Sequence, residues 1–237
     1  MFSFTRFLRR KSNQLDFQTG NLSRLEALDR STRILVPVEV DESRFSNATL
    51  HWKRESACLS LTIKPKSILE IGTLAGDFAD FLIKAYLPDK TVLVDYFDAA
   101  DYVFGEQRFT PETHYSYVKN RFKNDPTIEL LKGESSKMLS QLINRNQKFD
   151  FIYIDAGHTL EDVTRDLELS HQLLNPGGII GLNDYIMTDY YYDTVYGVVQ
   201  ATNLFLLHHI EYSVEAFAFN QNLFADIYLK KDHQNLK

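Results

Sequence analysis

The chemistry-bearing residues of this chain fall into four short groups. The first is Glu70, Gly72 and Gly76 in the run Ile68-Leu69-Glu70-Ile71-Gly72-Thr73-Leu74-Ala75-Gly76. An acid ahead of a G-x-x-x-G turn repels a pyrophosphate and attracts an amine or sulfonium. The spacing is neither G-x-G-x-x-G nor a phosphate-binding G-x-x-x-x-G-K-[ST] loop. Gly72 is suited to a positive-φ turn and Gly76 to close approach of backbone to a ligand. The second group is Asp95, 25 residues after Glu70, placed to accept hydrogen bonds from a ribose diol. The third, Gly133-Glu134-Ser135, follows an apolar run and is placed to border a base. The fourth joins Asp155 and His158 to Asn183 and Asp184. Asp155, Asn183 and Asp184 are hard oxygen ligands of the kind that suits Mg²⁺. His158 is either a general base or substrate contact, or a histidine at the start of a helix bonded to nearby backbone.

These groups need a scaffold that brings strand ends together. From Ser67 onward, predicted strands and helices alternate: strands at 67–71, 90–95, 127–132, 149–155 and 179–183, helices at 76–86, 111–124, 135–144, 159–174 and 194–207. Phe149 to Asp155 is near-continuously apolar, as a strand buried on both faces is. Thr159 and Asp162 form a capping pair, and Asn175-Pro176-Gly177-Gly178 turns the chain into the fifth strand. Glu211 to Phe219 and Phe224 to Lys230, joined by Asn220-Gln221-Asn222, predict an antiparallel hairpin. The fold class expected is α/β: a doubly wound, Rossmann-like, mixed seven-stranded sheet ending in that hairpin. Ligands in such sheets bind at the carboxyl ends of the strands, where strand order reverses.

Residues 1–65 read as a tail and an N-terminal cap, and 66–237 as the cofactor-binding domain. Leu22 to Arg33 and Ala48 to Leu61 are helix-like, and Ile34 to Val40 is β-like with Pro37 at an edge or turn. Residues 1–13 carry Arg6, Arg9, Arg10 and Lys11 among phenylalanines with no acid. They fit a frayed amphipathic tail, or weak contact with an acidic membrane surface or a partner. The net charge of −6 argues against a general nucleic-acid binder. A single cysteine, Cys58, excludes an internal disulfide framework and fits the cytoplasm, packing as a small apolar residue.

Ile68 to Gly76 resembles motif I of class I S-adenosylmethionine-dependent methyltransferases. Phe149-Asp150-Phe151-Ile152-Tyr153-Ile154-Asp155-Ala156-Gly157-His158-Thr159 resembles the motif after their fourth strand, and Leu174-Asn175-Pro176-Gly177-Gly178 the approach to their fifth. Ile-Asp-x-x-His with a later Asn-Asp-Tyr is most similar to the branch that holds macrocin-type O-methyltransferases and cephalosporin-hydroxylase-like sequences. The resemblance covers about Lys66 to Lys230. It implies that Glu70, Gly72 and Gly76 hold the methionine end of the cofactor, that Asp95 takes the ribose hydroxyls, and that Glu134 and Ser135 lie near the adenine. It further implies O-methylation of a glycosyl or other small-molecule hydroxyl in the cytoplasm. His158 would act there as base, with Mg²⁺ at Asp155, Asn183 and Asp184. The chain has Gly157 where the macrocin type often has a further acid.

Alternatives are a phenol, catechol or nitrogen acceptor, or a non-catalytic module that binds the cofactor and recruits a partner; an oligomer is compatible with either. Tyr185, Tyr190, Tyr191, Tyr192 and Tyr196 read as an aromatic acceptor pocket or a self-packed lid, and 97–113 as a second cover. His208-His209 reads as a helix end, and His51 and His114 have no readable context.

Overall fold

The computed structural model describes residues 38–99, 102–104, 107–189, 193–220 and 224–232. The expected helix at 22–33, most of the β-like run at 34–40, the basic stretch 1–13, Tyr190 to Tyr192 and Gln221-Asn222 lie wholly or partly outside these residues.

Five parallel strands form the centre: β2 (Ser67–Ile71), β3 (Lys90–Asp95), β6 (Ile128–Lys132), β7 (Phe149–Ile154) and β8 (Leu174–Leu182). Antiparallel β12 (Ala225–Lys231) and its hairpin partner β11 (Tyr212–Phe219) extend the sheet beyond β8. The edge is β1 (Thr49–His51), parallel to β11. The order is β1-β11-β12-β8-β7-β2-β3-β6, eight strands where the sequence predicts seven. The expected helix over Ala48 to Leu61 is instead β1 followed by a short α1 (Arg54–Ser60), because the exposed β1 finds a partner in the free edge of β11. Part of the N-terminal cap therefore belongs to the sheet. After β3, a two-stranded hairpin (β4, Tyr102–Phe104; β5, Gln107–Phe109) crosses the expected loop.

Period-two alternation divides the core into two faces. Leu69, Ile71, Ile152 and Ile154 pack under α4 (Ser135–Asn144), α5 (Leu160–Leu173) and α6 (Val198–His208). Ile68, Phe151 and Tyr153 face α1 and α2 (Asp77–Tyr86), while Leu93 packs with α2 and α3 (His114–Phe122). Cys58 is buried in the second layer, and burial raises its thiol to about 12, so it packs rather than reacts. Thr159 caps α5 as expected: its hydroxyl accepts from Asp162 N and donates to Asp162 Oδ2 (2.7 Å). The predicted helix from Thr194 begins later, at Val198, after Thr194 and Val195 pair with Thr188 and Asp189 in a two-residue ladder (β9, Thr188–Asp189; β10, Thr194–Val195).

Strand order reverses between β2, whose continuation is β3, and β7 on its other side. The ladder runs past the strand ends there. Gly72 N donates to Val94 O, Asp155 N to Ile71 O, Asn183 N to Ile154 O and Gly133 N to Asp95 O, all at 2.7–2.9 Å. Those bonds set Gly72, Asp95, Gly133, Asp155 and Asn183 side by side along one edge.

Candidate active site

Glu70 is the fourth residue of β2 and, like Ile68, points to the α1–α2 face. Its side chain is 2% exposed, and Oε2 has no hydrogen-bond partner. Burial, then the charge of Asp155, raises its pKa well above the carboxylate range. A buried acid with an unpaired oxygen at the switch point is a binding group for a cationic or N–H-bearing ligand.

Gly72 follows with φ 88°, and a Cβ there would lie 1.8 Å from the Asp155 carbonyl oxygen. Only glycine lets β2 and β7 end this close. At Gly76 (φ 79°) a Cβ would meet the Phe122 ring at 2.7 Å. The missing side chain of Gly76 makes room for α3, a need beyond the ligand approach expected of it.

Asp95 Oδ2 accepts from the backbone N–H of Thr73 and Leu74 (2.8 and 2.9 Å), and Oδ1 from Phe97 N (2.7 Å). Both oxygens organise the loop, a task beyond the ribose contact expected of them. His114 completes the clamp. It is 1% exposed, its Nδ1 accepts from Ala99 N, and the proton this leaves on Nε2 is donated to Leu74 O at 2.7 Å. Arg121 donates to Ala75 O (2.9 Å) and to Asp77 (2.5 Å). Glu134 is half-buried and paired with Lys137 at 3.0 Å, while Ser135 donates to Asp166 (2.8 Å). Ser135 thereby turns toward α5.

The reacting side is built around a residue the sequence reading missed. Arg54, the first residue of α1, reaches into the edge: Nη2 donates to Asn183 Oδ1 (2.7 Å), Nε pairs with Asp226 Oδ2 (3.1 Å), and Nη1 lies 3.8 Å from Asp155 Oδ2. The guanidinium also stands over the Phe78 and Tyr153 rings, 4.9 and 5.5 Å from their centroids. Asp226, fully buried on β12, accepts from Tyr153 OH (2.9 Å); burial lifts it to about 6 against the pull of Arg54. No local motif marks Arg54, because its partner Asn183 is 129 residues away.

The Mg²⁺ ligand set is brought together but is not a hard-oxygen cage. Asn183 gives its oxygen to Arg54 and its Nδ2 to Asp155 Oδ1 (2.9 Å), an orientation both charged partners enforce. Asp184 (φ 54°) turns to His158 instead, with Oδ2 3.4 Å from Nε2. The guanidinium supplies the positive charge where the metal was expected, so these residues do not fit Mg²⁺.

His158 stacks on Tyr196 (4.4 Å, 8°), and its Nε2 is buried without a hydrogen-bond partner. Burial lowers its pKa, keeping the ring neutral at neutral pH, and raises Asp184 to about 7. Tyr196 OH in turn donates to Asp189 (2.7 Å). Tyr185 faces elsewhere, donating to Asn203 on α6 at 2.7 Å. Of the five tyrosines, Tyr196 alone among the described residues touches His158, and it touches it as a support.

Residues 69–185 match the family described as "Methyltransferase domain". The chain carries a methyltransferase domain over those residues. The match does not single out the macrocin-type branch. No curated protein matches the methyltransferase in sequence. Solved structures share its fold. An O-methyltransferase from Bacillus cereus in complex with SAH is 18% identical, with 88% of this chain and 90% of that one covered and a TM-score of 0.55. The O-methyltransferase TomG from Streptomyces achromogenes, involved in tomaymycin synthesis and in complex with SAM, is 16% identical over 93% and 96%, at 0.56. Cofactor-bound Rv0187 from MTB is 17% identical over 95% and 100%, at 0.55. No helix among the described residues of the methyltransferase is long and apolar enough to cross a membrane.

Proposed function

We propose that this methyltransferase methylates a hydroxyl of a small molecule, with the cofactor's methionine end at Glu70 and the Gly72 turn. The observation that carries the reading is Glu70: a buried carboxyl with a free oxygen, costly to leave unpaired and satisfied by an ammonium group. Solved structures of the same fold described as O-methyltransferases with SAM or SAH support the oxygen acceptor.

S-adenosylmethionine, when bound, supplies an electrophilic methyl group. The protein's part is to hold the acceptor and take its proton. His158 is a neutral imidazole whose buried Nε2 makes no hydrogen bond, although Asp184 Oδ2 lies 3.4 Å away, and it is suited to accept the hydroxyl proton. Asp184 beside it, raised to about 7, steadies the imidazolium or shares its proton. Arg54 offers N–H donors and positive charge to the oxygen losing its proton, the role assigned above to a metal. A glycosyl hydroxyl is the acceptor class the branch resemblance favours, and a phenol or catechol fits the same pair.

Calorimetric titration of the protein with S-adenosylhomocysteine tests the cofactor, with NADH as control. Stoichiometric binding is expected for the first and none for the second. Glu70→Gln should weaken it by about 10-fold or more, the worth of a hydrogen bond to a charged group. Failure of the wild-type protein to bind S-adenosylhomocysteine overturns the placement. Methyl transfer should continue in EDTA; activity lost there and restored by Mg²⁺ would return the metal to the site.

A further inference from the structure

About 20 Å along α5 from its capped end, at the opposite edge of the sheet, two histidines and a glutamate converge. His171 lies in the last turn of α5, His209 caps the end of α6, and Glu211 leads into β11. Ligand atoms of the three all lie within 4.8 Å of one another. We propose that His171, His209 and Glu211 bind a divalent transition-metal ion of the zinc class, with Glu168 orienting His209.

The geometry is close to what such an ion requires. Tetrahedral bonds of about 2.0–2.1 Å put neighbouring donor atoms about 3.3 Å apart. Here Glu211 Oε1 is 3.6 Å from His209 Nδ1 and 3.9 Å from His171 Nδ1. The imidazole rings are 4.5 Å apart, centre to centre. His209 Nε2 lies 3.1 Å from Glu168 Oε1, so its proton is fixed on the far side and Nδ1 turns its lone pair to the cluster. A carboxylate behind a ligating imidazole is the usual second layer of a metal site. His171 Nδ1 lies 3.0 Å from the Tyr212 hydroxyl, a contact that a bound ion would replace.

Two features favour a cation. His171 in the last turn of α5 and His209 at the end of α6 put the cluster beside two helix C-termini, each carrying about half a negative charge, although at α5 the Lys148 ammonium already bonds Gln172 O. Glu211 and Glu168 add two carboxylates against the nearby Lys231 ammonium, whose charge acts on His171. Two imidazoles and one carboxylate select zinc-like ions over Mg²⁺ or Ca²⁺ and leave a coordination position open. A cavity of about 390 Å³, lined in part by His171, Gln172 and Lys231, opens beside it.

The test uses the full chain, stripped with chelator and titrated with ZnCl₂ by calorimetry. One equivalent should bind at micromolar affinity or tighter and raise the unfolding temperature. Glu168→Gln should weaken binding by about 10–100-fold, and joint replacement His171→Ala with His209→Ala should abolish it. Far-UV circular dichroism of the metal-free variants checks that they fold. Should the double variant fail to fold, Co²⁺ added to the wild-type protein decides: intense tetrahedral d–d bands support the site. No stoichiometric uptake, weak octahedral bands only, or a folded double variant that binds like wild type would overturn it.

Discussion

Asp184 shows how a buried acid makes stability and activity depend on pH together. Its carboxyl is raised from 3.8 to about 7, first by burial, then by Asp155 and Asp226, against Arg54, with Asp189 and His158 also facing it. Because the folded state holds this proton more tightly, Asp184 stabilises the fold fully below about pH 4, and that contribution is lost as pH rises to about 7. Asp184→Asn removes the penalty, and asparagine tolerates the positive φ found there. The variant should be about 1–3 kcal/mol more stable than wild type at pH 8. Urea denaturation should show that gain disappear near pH 4. On the proposed role of His158 as base, activity should rise with pH up to about 7 as the His158–Asp184 pair loses its proton. His158→Gln should lower kcat by about 100-fold or more with little change in S-adenosylhomocysteine affinity. Equal loss in both would make His158 a binding residue only.

The loop from β2 to α2 is held by side chains that α3 and β3 send to it. Asp95 gathers its N–H groups, His114 its Leu74 carbonyl and Arg121 its Ala75 carbonyl. Leu74 itself has φ 48°, an uncommon backbone state for leucine that the clamp keeps in place. His114→Ala should cost about 1–3 kcal/mol, because Leu74 O loses its donor. It should also weaken cofactor binding without altering the pH profile of methyl transfer, which separates positioning from proton transfer. An unchanged affinity for S-adenosylhomocysteine would show that the loop keeps its shape unaided. Gly72 permits no such graded test: a Cβ 1.8 Å from Asp155 O calls for separation of β2 from β7.

Across the whole molecule, Arg54 ties α1 to β12. It pairs with the fully buried Asp226, and among the described residues no other cation lies within salt-bridge distance of that carboxylate. Arg54→Met should therefore cost about 3–5 kcal/mol, and adding Asp226→Asn should recover part of it. Chemical denaturation of both single variants and the double variant checks this; additive losses would mean that the two do not act as a pair. Much of this architecture was legible in one dimension. Continuous apolar runs such as Phe149–Ile154 fixed buried parallel strands, and glycine placed the turn, because burial on both faces and positive φ each limit residue choice locally. The acids at 70, 95 and 155 followed, since a strand's end is also a place in sequence. Arg54, Asp226, His114 and the His171–His209–Glu211 cluster were not legible. Charge pairing and donor geometry depend on distances between elements, and only the folded sheet, whose edge strand β1 pairs with distant β11, brings those elements together.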